Sequence, residues 1–166
     1  EGHKEDINKV AFSPDGQTIA SITAYFGDSD DNDKTIKLWN LQGKLLHTLE
    51  ADIDLKNVVF SPNGQIIAAI TENSAIKLWN LQGELLHTLE ANADDVSEVI
   101  FSSDSKTIIS VGGYKGKSKL WSIEGELLSS LGYTNDVVFS PDGQIIASAN
   151  EDSTIKLWNP KGKLLY

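Results

Sequence analysis

The chain has no cysteine, no methionine and no arginine among its 166 residues. Without cysteine there can be no disulfide bond, no thiolate metal ligand and no thiol nucleophile. All 14 cationic side chains are lysines, so the planar guanidinium that grips phosphates and base edges through two hydrogen bonds is missing. The 24 acidic residues give a formal net charge of −10, which repels nucleic acids and anionic membranes. The composition therefore predicts neither nucleic-acid nor membrane binding.

Long hydrophobic runs are also absent. No apolar stretch approaches the ~20 residues that a membrane-spanning helix needs, and no signal-peptide pattern opens the sequence. These two absences predict a soluble, cytoplasmic protein. Because there is no methionine, the sequence carries no initiator residue, and we expect a chain trimmed at its N-terminus or cut from a longer reading frame.

The most informative feature that is present is an internal repeat. Four tryptophans, each preceded by Lys-Leu, recur at intervals of roughly 40 residues, which is typical of repeat architectures; they are Trp39, Trp79, Trp121 and Trp158. Residues 36–50 match residues 76–90 at every position except Lys44, which is replaced by Glu84.

Each repeat unit shows the same pattern of short strands. A β-branched run ends in Phe, and a turn such as Ser-Pro-Asp-Gly (residues 13–16 and 140–143) or Ser-Pro-Asn-Gly (residues 61–64) follows it. Three more short strands come next, the second of these carrying the Lys-Leu-Trp segment. No helical periodicity interrupts the pattern, so it predicts an all-β fold with four strands per unit. The predicted units are residues 1–50, 51–90, 91–131 and 132–166 of a single domain covering 1–166.

These motifs together resemble the WD-repeat β-propeller family. The residues that carry the resemblance are a Gly-His pair before the first strand, the Ser-Pro-Asp-Gly turn and the segment Thr-Ile-Lys-Leu-Trp-Asn. The sequence is also similar to the near-identical WD arrays of bacteria, cyanobacteria especially. The resemblance covers essentially the whole chain. It implies four four-stranded blades per chain, arranged around a central channel.

The resemblance further implies a polar network of His, Ser or Thr, Asp and Trp that holds each blade together. In the first unit the set is complete, whereas the fourth unit lacks the histidine, and Asn73 and Lys115 stand at the Asp position of the second and third units. The predicted structural residues are His3, Ser21, Asp33, Trp39, Trp79, Trp121, Ser148, Asp152 and Trp158. Where the network is incomplete, core packing must hold the blade.

Four units are fewer than the seven or eight blades usual in this family. An arc of four blades would expose an apolar face at each end. We therefore predict that two chains meet head to tail about a two-fold axis as the halves of an eight-bladed ring. Two alternatives stay open: the chain is part of a longer propeller that supplies the other blades, or it closes alone as a four-bladed ring.

Two connecting segments are candidate partner-binding sites because they depart from the repeat. One is the long acidic insertion at residues 24–33, and the other is the basic turn at residues 112–117. The candidate residues are Tyr25, Phe26, Asp28, Asp30, Tyr114 and Lys115. Asp28, Asp30 and Asn32 alternate like the first ligands of a calcium loop, but the expected Gly and Glu are absent from its later positions. We therefore predict a solvated acidic loop and no metal site.

The sequence offers no candidate for catalysis and implies no cofactor. His3 is assigned to the blade network, the equivalent positions of His47 and His87 indicate a structural role, and no glycine-rich phosphate loop is present. By fold-level analogy we predict a non-catalytic protein–protein interaction scaffold, whose partners are a second copy of itself and an unidentified protein or peptide. The alternative is a purely structural or engineered half-propeller with no ligand of its own. A binder of a small ligand in the central channel is a more distant possibility.

Overall fold

The computed structural model describes residues 2–23, 33–91, 95–113 and 116–166. Within these ranges the fourteen regular elements are all β-strands, and the pairs between neighbouring strands of a sheet are antiparallel. The chain divides into two compact units, one made of Glu1–Glu72 and Ile76–Thr88 and the other of Asn73–Ala75 and Leu89–Tyr166. The all-β class predicted from the sequence is confirmed.

The first unit holds two four-stranded meanders. Leu89, the last residue of the second meander, is counted with the second unit. We call each meander a blade. The first blade consists of β1 (Ile7–Phe12), β2 (Thr18–Thr23), β3 (Thr35–Asn40) and β4 (Leu45–Glu50). The second blade consists of β5 (Leu55–Phe60), β6 (Ile66–Thr71), β7 (Ile76–Asn80) and β8 (Leu85–Leu89). In both blades the neighbours in the chain are also the neighbours in the sheet.

The turn between β1 and β2 shows why the Ser-Pro-Asp-Gly motif recurs. The carboxylate of Asp15 accepts hydrogen bonds from the hydroxyl of Ser13 at 2.5 Å and from the backbone N–H of Gln17 at 3.0 Å. Both hydrogen bonds lower the pKa of Asp15, and the bond from Ser13 has the larger effect. Gly16 follows with φ of 68°, a left-handed conformation that favours glycine. Local chemistry therefore fixes this hairpin turn.

The core of the first unit lies between its two sheets, where one face of each blade meets the other. Successive side chains of a strand point to opposite faces of its sheet, so every blade has two faces. The trailing face of the first blade contributes Ala20, Ile22, Ile36, Leu38 and Leu49 to this core. The leading face of the second blade contributes Leu55, Val58, Ile67, Ala69 and Trp79. Burying each Leu or Ile side chain contributes about 1.5–3 kcal/mol, so this core dominates the stability of the unit.

The second unit contains one six-stranded sheet in the order β14-β13-β12-β11-β10-β9. Its strands are β9 (Val96–Phe101), β10 (Thr107–Gly112), β11 (Lys117–Ser122), β12 (Leu127–Phe139), β13 (Ile146–Asn150) and β14 (Ile155–Trp158). Strand β12 pairs with β11 through its first half and with β13 through its second half. The third blade (β9, β10, β11 and residues 127–131) and the fourth blade (residues 133–139, β13 and β14) are therefore joined by one strand.

The joining of these two blades was not predicted from the sequence. The count of four blades agrees with the prediction, but the described residues form three sheets. The segment before the fourth blade is reduced to Gly132-Tyr133, which is too short for a loop that would separate the last strand of the third blade from the first strand of the fourth. Gly132 has φ of 85° and lies next to the point where β12 changes its partner strand from β11 to β13. Strand β12 therefore runs across the unit boundary that the sequence predicted after residue 131.

The core of the second unit repeats the arrangement of the first. The trailing face of the third blade contributes Ile109, Val111, Leu120 and Leu131, and the leading face of the fourth contributes Val137, Ile146 and Trp158. Outside β14 the pairing is short: the N–H of Leu165 donates to the carbonyl of Leu157 at 2.7 Å, and Trp158 forms an isolated bridge with Leu164. The outermost segment of the fourth blade is therefore much shorter than β4 or β8.

Candidate functional site

A hydrogen-bonded network of four side chains lies at one end of the first blade. His3 Nδ1 lies 2.9 Å from Asp33 Oδ2, and His3 Nε2 lies 2.7 Å from the hydroxyl of Ser21. The indole N–H of Trp39 donates to the same hydroxyl at 2.8 Å. Because a carboxylate only accepts, Nδ1 of His3 carries the proton that is donated to Asp33. The structure thus brings together all four residues that the resemblance named in this blade, joining β2, β3 and the segment before β1.

Asp33 is the electrostatic centre of this network. Burial by itself would raise the pKa of Asp33, but hydrogen bonds from Thr35, Lys37 and His3 outweigh that effect and hold the pKa well below its usual range. The ammonium group of Lys37 lies 2.9 Å from the carboxylate and the hydroxyl of Thr35 lies at 2.5 Å. Asp33 is therefore ionised across the ordinary pH range and ties the start of β3 to the segment before β1.

The fourth blade keeps only part of the network. The indole N–H of Trp158 donates to the hydroxyl of Ser148 at 3.0 Å, as its counterpart does in the first blade. Asp152 lies on the surface and accepts hydrogen bonds from Lys156 at 2.8 Å and from the hydroxyl of Thr154, as Asp33 does from Lys37 and Thr35. These bonds, Lys156 contributing most, lower the pKa of Asp152 to about 2. The structure therefore brings together Ser148 and Trp158, while Asp152 has no bridge to them.

Asn150 takes over part of the role of the missing histidine, and the sequence reasoning did not find it. Its amide donates to the hydroxyl of Ser148 at 3.3 Å and to the backbone carbonyls of Ser148 and Thr154 at 3.1 and 3.2 Å. The side chain is buried. The available signal was its position two residues after Ser148, where the first two blades carry threonine.

The second and third blades depart further from the network. In the third blade the indole N–H of Trp121 donates to the hydroxyl of Ser110 at 3.0 Å; Ser110 occupies the register position of Ser21 and could have been found by aligning the repeats. In the second blade Ala69 stands at this position, and Trp79 is buried in the apolar core of the first unit. The indole of Trp79 therefore has no serine hydroxyl at this position to which its N–H could donate.

The six residues proposed from the sequence as partner-binding all lie outside the described residues, as does the acidic alternation of Asp28, Asp30 and Asn32. Their assignment stays a prediction. Among the residues that the structure does describe, no group of three or more His, Cys, Asp or Glu side chains is placed to hold a metal ion. In the same part of the chain, no helix has the length and apolar character needed to cross a membrane.

The leading face of the first blade is uncovered. Val10 is 57% exposed, whereas its counterpart Val58 in the second blade is 1% exposed. Ile7 and Phe12 flank Val10 on the same face and are also exposed. The side chains at the equivalent positions of the second blade are of the same kind, so the difference in exposure among these described residues does not arise from the residue types.

The trailing face of the fourth blade is uncovered as well. Ile155 is 75% exposed, whereas its counterpart Ile36 in the first blade is fully buried. Ala149 on the same face is exposed, and its counterpart Ile22 is buried. The first and fourth blades therefore each present an apolar face of the kind that forms the core elsewhere in the chain.

Comparison with known proteins agrees with this repeat structure. The family model described as "WD domain, G-beta repeat" matches four successive stretches, residues 1–40, 43–80, 83–122 and 125–159. A WD repeat-containing protein of the cyanobacterium Synechocystis sp. is 38% identical over 53 residues, which is 31% of this chain and 13% of that protein. The matched part thus spans a small fraction of that relative's length.

Proposed function

The chain belongs to the WD40 repeat family, and from that premise we propose that it is a non-catalytic protein-interaction scaffold whose blade array is completed by a second copy of the same chain. WD40 repeats serve in general as scaffolds for protein interactions. The proposal adds that the trailing face of the fourth blade in one copy packs against the leading face of the first blade in the other. The eight blades of two copies then form one closed array.

The observation that carries the proposal is the match between uncovered and covered faces. The leading face with exposed Val10 is the counterpart of the face that buries Val58, and the trailing face with exposed Ile155 is the counterpart of the face that buries Ile36. Exposed apolar surfaces of this kind mark interaction sites. In the first unit a trailing face packs against a leading face. One uncovered face is a leading face and the other is a trailing face, so the contact that they favour is head to tail.

A two-fold axis is the simplest closure for such contacts. A head-to-tail interface makes a ring if the rotation closes and an open filament if it does not. Two copies related by a two-fold axis form the same interface twice and leave neither face uncovered. With four blades from each copy, such a ring has the eight blades predicted from the sequence.

A protein or peptide partner would then bind on the connecting segments that depart from the repeat. The proposed contacts are made by the insertion at residues 24–33 and the turn at residues 112–117. Insertions on one face of a repeat array are often its binding face. Aromatic side chains, here Tyr25 and Phe26, are enriched among the residues that dominate binding energies at protein interfaces.

Light scattering across a dilution series tests the assembly. We expect a stable mass of twice one chain, and we expect Val10→Asp to give a monomer, because a carboxylate would be buried without a partner in the interface. The matched control is Leu85→Asp in the second blade; Leu85 is 48% exposed in the outer strand β8, away from the two uncovered faces. Val10 is itself exposed within one chain, so its replacement leaves the fold of the single copy intact.

Other masses would contradict the proposal. A wild-type chain that stays monomeric at high concentration would exclude the second copy as the occupant of these faces. A ladder of larger species would indicate open head-to-tail growth, which is the outcome expected when further blades of a longer chain normally cover the faces.

A further inference from the structure

One position of the trailing face differs in polarity between blades. Ser118 in the third blade stands where the first blade has Ile36 and the fourth has Ile155, each one residue before the lysine that pairs with the central serine of the second strand. Ser118 is fully buried, as Ile36 is. The second blade has Ile76 at this position, so the third blade places a hydroxyl group where the other three place an isoleucine side chain.

The matching position of the leading face varies in the same way. Thr134 in the fourth blade, Leu55 in the second and Ile7 in the first each pair with the last residue of the following strand. Thr134 and Leu55 are buried, and Ile7 is exposed. The fourth blade thus has a hydroxyl where the first and second blades are apolar.

Inside each unit the two positions match in chemistry. In the second unit the hydroxyls of Ser118 and Thr134 lie 2.6 Å apart, and Ser118 also accepts the backbone N–H of Gly112 at 3.0 Å. In the first unit Ile36 and Leu55 belong to one buried apolar cluster. In the second unit a polar trailing position contacts a polar leading position, and in the first unit both positions are apolar and buried in the same core.

A mismatch at this contact would be unfavourable. If Ser118 faced isoleucine in place of Thr134, its hydroxyl would keep the bond from the N–H of Gly112 but would lose its hydroxyl partner without a replacement, which costs free energy. The leading face of the first blade, which carries Ile7, is therefore a poor substitute for the fourth blade against Ser118. The trailing face of the fourth blade, which carries Ile155, has no such conflict with Ile7.

We propose that Ile155 of one copy packs against Ile7 of the second copy, as the apolar counterpart of the Ser118–Thr134 pair inside the chain. The inference rests on the proposed two-copy assembly and names the side-chain contact that sets its pairing. It makes Ile7 and Ile155 the pair between copies that corresponds to Ser118 and Thr134 between the third and fourth blades.

A double-mutant cycle tests this contact by transplanting the hydroxyl pair. Ile155→Ser and Ile7→Thr are made singly and together, and the dissociation constant of the dimer is measured by sedimentation. Each single variant places an unpaired hydroxyl at both interfaces of the ring. We expect about tenfold weakening per interface, hence about a hundredfold for the dimer. The double variant recreates the Ser–Thr pair, and we expect it to bind at least about tenfold more tightly than additive effects would give.

A cross-linking experiment provides a second readout that does not depend on affinity. The chain has no cysteine, so Ile7→Cys and Ile155→Cys introduce the only thiols. A disulfide needs the two Cα atoms within about 7 Å, and the proposed contact brings position 7 of one copy close to position 155 of the other. Under oxidation we therefore expect a mixture of the two single variants to form a covalent dimer. Each single variant alone should form none, since equivalent positions of the two copies lie apart in a head-to-tail arrangement.

The outcomes separate the pairing from the assembly. A wild-type monomer would overturn the proposed function, and the pairing with it. A wild-type dimer in which the single variants have no effect, or in which their effects are additive and the mixed thiols do not cross-link, would leave the assembly standing and refute the Ile7–Ile155 contact. A dimer that shows both the coupling and the cross-link would establish the contact.

Discussion

Truncating Trp158 to alanine measures how much of the fourth blade depends on packing. The indole is 8% exposed and belongs to the buried core of the second unit. Its N–H donates to Ser148, which keeps a second hydrogen bond from the amide of Asn150. The substitution therefore removes a large apolar ring and one donor, but it leaves no orphaned hydroxyl behind.

The expected loss in free energy of unfolding follows from these contacts. Truncations of buried tryptophan to alanine cost about 3–5 kcal/mol. Trp158→Phe keeps the six-membered ring but removes the donor and the five-membered ring of the indole, so it should cost more than the about 0.5–1.5 kcal/mol of one ordinary hydrogen bond and less than Trp158→Ala. Tyr166→Ala is the matched aromatic control, because Tyr166 is 85% exposed, and it should change stability by less than about 0.5 kcal/mol.

Urea unfolding followed by far-ultraviolet circular dichroism provides the measurement, at one fixed protein concentration so that any association contributes equally to all variants. The expected order of destabilisation is Trp158→Ala, then Trp158→Phe, then Tyr166→Ala. An unfolding midpoint for Trp158→Ala equal to that of the wild type would show that the indole is not part of a core. Equal losses for the two Trp158 variants would show that the hydrogen bond to Ser148, and not packing, holds the blade.

Two further predictions concern the first blade. Folding lowers the pKa of Asp33 from 3.8, so the contribution of Asp33 to stability is complete above pH 3.8 and is lost as the pH falls through the folded pKa. Asp33→Asn should therefore be most destabilising at neutral pH and approach the wild type in acid. A stability difference that does not change with pH, or the same trend in the exposed control Asp136→Asn, would contradict this. Replacing residues 24–32 by one glutamate, the counterpart of Glu72, keeps Asp33 and its hydrogen bonds and should leave the unfolding midpoint unchanged while it abolishes capture of any partner that the wild type binds. Retained capture would remove the insertion from the binding site.

The resemblance of the motifs to known repeats was enough to name the four residues of the first network. His3, Ser21, Asp33 and Trp39 follow a pattern of residue types at fixed places in the repeat, and the structure places them within hydrogen-bonding distance of one another. The same reading of the fourth blade named Asp152, which pairs with Lys156 on the surface. Asp152 keeps the lysine and threonine partners that Asp33 has, but without a histidine it has no bridge to Ser148 and Trp158, and a pattern of single positions does not show this.

What the sequence by itself determined is the part of the structure that local chemistry controls. The hairpin turn of the first blade is fixed by hydrogen bonds between residues two to five positions apart, from Ser13 to Asp15 and from Thr18 to Ser13. Alternation of apolar residues with period two fixes which side chains share a face. Such contacts depend on neighbours in the chain, so the residues themselves predict them.

Only the tertiary structure decided which faces are covered and which polar groups meet across strands. Val10 and Val58 are the same residue in the same place of the repeat, yet one is exposed and the other is buried. Ser118 and Thr134 lie sixteen positions apart, and their hydroxyls meet where one continuous strand, β12, joins the third and fourth blades. Burial and long-range hydrogen bonds depend on which blade packs beside which, and that is a property of the folded chain and of the surface that covers it.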